Sequence, residues 1–232
     1  MLIRYLAALL PPILLLAFIW WKDSKKEPFR YLLKAVIFGA LICVPTVFWE
    51  SYMSTLLFNG EEPTSLFGTT LNAFFCAAVP EETLKLLALW LVLRRNPYFD
   101  EHFDGIVYAV CVSLGFAAVE NVGYVLQQED AWLHVAVARA LLAVPGHYAF
   151  GVLMGYYYAM HHFVRRNART AVSILLVPVL AHGVYDSLAM TGMVNPVVGL
   201  IGFMVLIFFC VKMHRIAFDR LNTMIERDKI TK

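Results

Sequence analysis

Ionisable side chains lie inside segments of this sequence that are otherwise long apolar runs. Placing an aspartate or a lysine at the centre of a membrane helix costs at least about 2.5 kcal/mol, so such residues are kept where they pair or take part in function. Carboxylates and imidazoles are also the groups that bind zinc or move protons. The set is Glu81, Glu82, Lys85, Glu120, His147, His182 and Asp186.

The composition is that of a polytopic membrane protein. Of the 232 residues, 60% are hydrophobic and only 16% are charged, whereas a soluble domain carries roughly 25% charged residues. The net charge of +2 gives no indication of a nucleic-acid partner. The four cysteines are scattered singly through apolar runs, without metal-binding spacing, so we expect them to be buried and apolar in character.

Seven runs of about 20 or more mostly apolar residues predict seven transmembrane helices. The first run ends in two tryptophans and lacks a small-residue cleavage site, which favours a spanning helix over a signal peptide. The predicted fold class is therefore all-α, with the whole chain, 1–232, forming one transmembrane domain. The predicted spans are Leu2–Trp21, Tyr31–Phe58, Leu66–Leu93, Asp104–Leu126, Trp132–His162, Ala171–Met190 and Asn195–Met213.

Basic residues cluster in alternate loops, all on one side of the predicted membrane. The positive-inside rule places that side in the cytoplasm, which predicts an outside N-terminus and a cytoplasmic C-terminus. The tail, 214–232, is expected to form at most a short mixed-charge helix. The basic clusters fall within residues 22–30, 94–95, 165–169 and 212–220.

The helical spacing predicts that the polar side chains meet at one depth, near or just outside the midplane. Glu81 and Lys85 are four residues apart, so Lys85 can pair with Glu81 on one helix face. Glu82 is turned about 100° away and can face a different neighbour. His182 and Asp186 are also four apart, so Asp186 can orient His182 or line the same face. A shared cavity is the simplest explanation.

Proline and glycine accompany the polar residues. Pro80 directly precedes the glutamate pair and is predicted to bend its helix there. Gly151 and Gly155 follow His147 by about one and two turns. A small-residue face of this kind allows another helix to approach closely.

These residue types could form a zinc site, because a catalytic zinc uses three protein ligands and leaves one position for water. His147, His182 and one glutamate satisfy that requirement. The remaining glutamate would be the general base on water. We favour Glu81 as the base, tuned by its lysine partner, with Glu82 or Glu120 as the third ligand.

A metal-free mechanism uses the same residues. A buried glutamate would activate water directly, and the imidazoles would stabilise the oxyanion. Structural interpretations are also open: Glu82 could be an ion-pair partner, and Glu120 with Asn121 could be an interhelical hydrogen-bonding pair. Asp104 is expected to cap its helix, and Glu50 to reach the membrane interface.

Four segments resemble motifs of the PrsW family of intramembrane proteases. Residues 80–85, PEETLK, resemble the EExxK motif; FDGIVY at 103–108 with GFAAVEN at 115–121 resembles DGxxY…GFAxxEN. GHYAFG at 146–151 and HGVYD at 182–186 resemble the two histidine motifs. The layout is also similar to that of the CAAX-protease and bacteriocin-processing group. The resemblance extends over roughly residues 70–190, and the expected catalytic core is 66–190.

The resemblance implies peptide-bond hydrolysis within or beside a bacterial cell membrane. Members of the family are regarded as site-1 metalloproteases that cut single-pass anti-sigma factors on their extracytoplasmic side in stress signalling. Taken with the residue chemistry above, this predicts catalytic roles for Glu81, Glu82, His147 and His182, and supporting roles for Lys85, Glu120, Asn121 and Asp186. The predicted Zn²⁺ ligands are His147, His182 and Glu82, with Glu120 as the alternative to Glu82.

Two other classes of protein carry buried ionisable residues. A proton-coupled transporter or channel could use the same groups as a relay, although no inverted repeat is visible and seven helices do not divide into equal halves. A non-catalytic scaffold could use them to hold helices together, although the set has more ionisable groups than packing requires.

Overall fold

The computed structural model describes residues 1–231, and no strand occurs among them. The all-α prediction is therefore confirmed. Three short π-helical segments interrupt the α-helices. In chain order the elements are α1 (Leu2–Lys22), α2 (Phe29–Leu41), α3 (Cys43–Phe58), α4 (Leu66–Leu71), π1 (Asn72–Ala78), α5 (Val79–Leu93), α6 (His102–Gln127), α7 (Trp132–Ala138), π2 (Arg139–Ala143), α8 (Val144–Ala159), π3 (Met160–Val164), α9 (Ala168–Ala189), α10 (Thr191–Val194) and α11 (Pro196–Thr231).

Six helical stretches within the described residues are long and apolar enough to cross a membrane, so the chain is a multi-pass membrane protein. The predicted span 66–93 is also continuously helical, through α4, π1 and α5, but its three charged residues set it apart from the six. The six stretches are Leu2–Lys22, Phe29–Phe58, His102–Gln127, Trp132–Val164, Ala168–Val194 and Pro196–Ile230.

Helix α6 is the central helix, and its side chains are almost all buried from Phe103 to Ala117. Helices α2 and α8 cross it at glycines. A Cβ atom on Gly115 would lie 2.2 Å from the Val36 carbonyl oxygen, and one on Gly155 would lie 2.3 Å from the Gly105 carbonyl oxygen. The close approach predicted for the small-residue face of α8 is confirmed at Gly155.

The first turn of α6 is capped from two directions. The Asp104 carboxylate accepts hydrogen bonds from the backbone N–H groups of Glu101 (2.7 Å) and Asp100 (3.0 Å). It therefore caps the helix start as predicted, but from the third helical position, since the N-cap residue of this capping box is Glu101. Asp228, near the C-terminal end of α11, accepts from the N–H groups of His102 and Phe103, both at 2.8 Å. The two carboxylates together satisfy backbone donors that a helix start leaves without intrahelical partners.

Residues 214–231 continue α11 without a break, whereas the sequence suggested at most a short separate helix. Met213, Ala217, Leu221 and Met224 form a buried stripe along this part of α11. Their spacing of three to four residues places them on one helix face, so the segment packs onto the bundle as an amphipathic helix.

Candidate active site

Three helices bring five ionisable side chains into one buried cluster. Glu81, Glu82 and Lys85 lie on α5, His147 on α8 and His182 on α9. Each of them is at most 4% exposed. The sequence predicted that these residues share a cavity, and the structure brings them together.

The two π-helical segments before the cluster each end two residues ahead of a proline. Segment π1 ends ahead of Pro80, and π2 ends ahead of Pro145. A proline inside a helix lacks a donor, and its ring clashes with the carbonyl group four residues earlier, so a locally wider turn accommodates it. Beside His182, Gly183 lets π1 pack against α9, since a Cβ there would lie 2.4 Å from the Phe74 ring.

The Lys85 side chain occupies the centre of the cluster. Its Nζ atom donates to Glu81 Oε2 at 2.9 Å, to Glu82 Oε1 at 2.8 Å and to His147 Nδ1 at 3.1 Å. The sequence predicted the pairing of Lys85 with Glu81. It did not predict that Glu82 shares the same ammonium group, which offsets the negative charge of both carboxylates.

His182 is held from both sides of its ring. Its Nδ1 atom lies 2.9 Å from Glu82 Oε1, and its Nε2 atom lies 3.1 Å from Asp186 Oδ2. Phe150 stacks on the ring, with centroids 4.7 Å apart. A carboxylate on one imidazole nitrogen, as Asp186 is on Nε2 here, is the arrangement that orients metal-binding histidines.

His147 has a matching partner on a different helix. Its Nε2 atom lies 2.8 Å from Glu120 Oε2 on α6, so its Nδ1 atom faces Lys85. Both ring nitrogens are therefore engaged, and the His147 and His182 centroids are 5.5 Å apart. Glu120 contacts His147 and is not part of the carboxylate pair beside His182.

Within residues 1–231, the group whose donor atoms could together hold a metal ion is Glu81, Glu82 and His182, since one donor atom from each lies within 4.8 Å of the others. The sequence-based ligand set contained His147 in place of Glu81. Glu82 Oε2 is buried and makes no hydrogen bond among the described residues. A buried carboxylate oxygen without a partner, beside an oriented imidazole, fits a cation-binding site.

Two residues near the cluster were not predicted as site residues. Arg139, the first residue of π2, donates to Glu120 Oε2 at 2.6 Å and to Asn121 Oδ1 at 2.7 Å. Glu50 on α3, which was expected to reach the membrane interface, is half-buried. Its helix packs against π1 and α5. A single arginine or glutamate within an apolar run was the signal in both cases.

Partial exposure indicates where the cluster is accessible. The side chains of Glu120, Arg139 and Asp186 are 20%, 13% and 18% exposed. Glu120 and Asp186 lie toward the C-terminal ends of α6 and α9, and Arg139 lies in the first half of the α7–π2–α8 stretch. The sequence places all three positions toward the outside, so the mouth of the site lies on the predicted extracytoplasmic side.

Comparisons with known proteins agree on one family. The model of the PrsW family of intramembrane metalloproteases matches residues 27–213. Protease PrsW of Oceanobacillus iheyensis is 34% identical over 221 residues, covering 94% of this chain and 97% of that protein. Protease PrsW of Bacillus subtilis is 32% identical over 206 residues, covering 88% and 89%. No solved structure matches the chain.

The matched region contains every residue of the buried cluster and of its mouth. The relatives are matched over most of their length as well as over most of this chain, so the likeness is not confined to one motif. This chain belongs to the PrsW family of intramembrane metalloproteases and is a multi-pass membrane protease.

Proposed function

We propose that this protease is an endopeptidase that cuts a single-pass membrane protein near the extracytoplasmic face of the membrane, and that the substrate is an anti-sigma factor in stress signalling. The main support is the buried group of Glu81, Glu82 and His182, which combines two carboxylates with an oriented imidazole. The proposed catalytic core is 66–190, in a chain whose N-terminus lies outside.

Glu81 is the proposed general base. It is 4% exposed, whereas Glu82 is fully buried, so water reaches Glu81 more easily. Glu82 is also bonded directly to His182 at 2.9 Å, while Glu81 Oε2 lies 3.9 Å from the same nitrogen. A carboxylate that is close to the site but not locked to the histidine is the better acceptor for a proton from water.

Glu82 and His182 would bind a divalent metal, for which we propose Zn²⁺, and Glu81, the third residue whose donor atom lies within reach, would stay free beside it as the base. Such an ion would supply Lewis-acid polarisation of a water molecule. Asp186 keeps the His182 ring oriented through Nε2, which leaves Nδ1 facing the two carboxylates. His147 is proposed to stabilise negative charge that develops on the substrate carbonyl oxygen, for which one ring nitrogen would exchange its contact with Lys85 or Glu120 for that oxygen.

Lys85 makes this arrangement possible at membrane depth. Two adjacent carboxylates with no positive partner would be expensive to bury, and the Lys85 ammonium group contacts both. Its own burial is offset by the same contacts and by the Phe116 ring, whose centroid lies 4.3 Å from Nζ.

The test is a comparison of new protein N-termini in native membranes that contain the wild type or Glu81→Gln at equal expression, with and without envelope stress. Glu61→Gln is the matched control, because Glu61 is an exposed glutamate in a predicted outside loop. We expect a terminus just outside the membrane in a single-pass protein, present in the wild type and the control and absent in Glu81→Gln. Equal termini in all three would overturn the proposal.

A further inference from the structure

Arg139 joins three elements at the mouth of the site. Its guanidinium group donates from Nη2 to Glu120 Oε2 at 2.6 Å and from Nε to Asn121 Oδ1 at 2.7 Å. It also lies over the Tyr124 ring, with Cζ 4.1 Å from the centroid. Asn121 in turn donates to the Ala8 carbonyl oxygen on α1 at 2.6 Å.

The π2 segment brings Arg139 onto the same helix face as His147. The two residues are eight positions apart, and eight regular α-helical steps would leave them about 80° apart around the helix axis. A π-helical turn takes up about one extra residue, so the rotation about the helix axis from Arg139 to His147 is that of about seven regular steps. This rotation is only ~20° short of two full turns, which places both residues on nearly the same face. Both side chains can then reach the Glu120 carboxylate on α6, and both do.

Glu120 Oε2 is the shared atom of this arrangement. It accepts from Arg139 at 2.6 Å and lies 2.8 Å from His147 Nε2. Glu120 holds the ring so that His147 Nδ1 points at Lys85, 3.1 Å away. The orientation of His147 therefore depends on the position of a carboxylate that Arg139 fixes from its other side.

We propose that Arg139 is a positioning residue of the active site, acting through Glu120 to set the orientation of the His147 imidazole. The contact with His147 runs only through the carboxylate, so Arg139 itself touches no residue of the Glu81, Glu82 and His182 group among the described contacts. The catalytic meaning of this inference rests on the proposed function; the geometric part does not.

The test has a structural readout and an activity readout. With histidines labelled by ¹⁵N in detergent-solubilised full-length protein, the His147 imidazole signal is assigned by its loss in His147→Gln. We expect Arg139→Ala to move this signal and to lower the yield of Glu81-dependent N-termini by about 10-fold to 100-fold, the usual effect of losing a residue that orients an active-site histidine. Added guanidinium chloride, at concentrations too low to denature, should restore both, since the site of Arg139 is 13% exposed.

Arg4→Ala is the matched control. Arg4 also ties helices together on the predicted outside, through the carbonyl oxygens of Gln128 and Glu129, but contacts no residue of the cluster. It should leave the His147 signal unchanged. An unmoved His147 signal in folded Arg139→Ala overturns the inference, and so does an equal shift in Arg4→Ala.

A second variant covers the case in which Arg139→Ala does not fold. Arg139→Lys keeps the charge beside Glu120 but cannot donate to Glu120 and Asn121 in the same forked geometry. A His147 signal that moves towards its position in Glu120→Gln supports the inference, and a signal that stays at its wild-type position in folded Arg139→Lys overturns it. The His147 signal does not depend on turnover, so this inference is tested independently of the proposed protease activity. The proposal of protease activity is overturned only if Glu81→Gln leaves cleavage intact.

Discussion

Replacing Lys85 with methionine would test the electrostatic basis of the cluster. The substitution keeps much of the side-chain volume but removes a fully buried ammonium group that donates to Glu81 at 2.9 Å and to Glu82 at 2.8 Å. Removing one partner of a buried ion pair costs about 3–5 kcal/mol, and here one cation serves two carboxylates. We therefore expect a loss near the upper end, about 5 kcal/mol, because two negative charges remain side by side.

The loss is measurable as a shift in melting temperature of the protein in detergent. At about 2–4 °C per kcal/mol for a chain of this size, the expected decrease is roughly 10–20 °C. A divalent cation bound by Glu82 and His182 beside Glu81 would restore positive charge next to the same two carboxylates. At a free zinc concentration 100-fold above Kd it would contribute about 2.7 kcal/mol, so zinc should recover part of the lost melting temperature.

Zinc should also bind Lys85→Met more tightly than it binds the wild type, because the ammonium group no longer competes for the carboxylates. Lys34→Met is the control, since Lys34 is an exposed lysine on α2; it should change neither stability nor zinc affinity. If Lys85→Met had the melting temperature of the wild type in the absence of metal, the Lys85 ammonium group would not be what stabilises the two buried carboxylates. If zinc did not stabilise Lys85→Met, the assignment of Glu82 and His182 as metal ligands would be wrong.

Three further changes test the framework around the site. Asp228→Ala removes the cap that the end of α11 places on α6; we expect a loss of about 0.5–2 kcal/mol in melting experiments and faster amide exchange at His102. Gly155→Leu places side-chain atoms where a Cβ alone would lie 2.3 Å from a backbone oxygen of α6, so it should prevent folding, measured as loss of monodisperse protein. Glu27 lies in the loop before α2, where burial raises the pKa of its carboxyl above the ordinary 4.5. Its stabilising contribution is thus present below about pH 4.5 and is lost as pH rises through the raised pKa, so Glu27→Gln should flatten that part of the stability–pH curve.

Local spacing was enough to predict part of the site. Charged residues in apolar runs identified the cluster, and four-residue spacing predicted the contacts of Glu81 with Lys85 and of His182 with Asp186, which the structure contains. These contacts lie within single helices, where geometry follows directly from sequence position.

Contacts between helices could not be predicted in the same way. The orientation of His147 toward Lys85 depends on how α5, α6 and α8 are rotated against each other, which apolar periodicity does not determine. Arg139 was overlooked for a related reason: regular α-helical geometry places it on a different face from His147, and only the π2 segment aligns the two. The π segment itself has no signal in the sequence beyond the proline that follows it.

The sequence at the end of α11 contains apolar residues at helical spacing, but the many charged residues around them hid this pattern. The residues after Met213 contain many charged side chains, so they read as a tail in the cytoplasm. The apolar residues Ala217, Leu221 and Met224 nevertheless recur every three to four positions, as in a helix packed against a core.

We propose that the carboxylate of Glu81 is required for hydrolysis of a peptide bond by this chain itself. The most direct measurement is reconstitution of the purified protein in liposomes with the single-pass substrate identified from native membranes, followed by sequencing of the new N-terminus. We expect one cut at the extracytoplasmic end of the substrate's membrane segment by the wild type and by Glu61→Gln, and no cut by folded Glu81→Gln. Cleavage by Glu81→Gln at the wild-type rate would contradict this proposal.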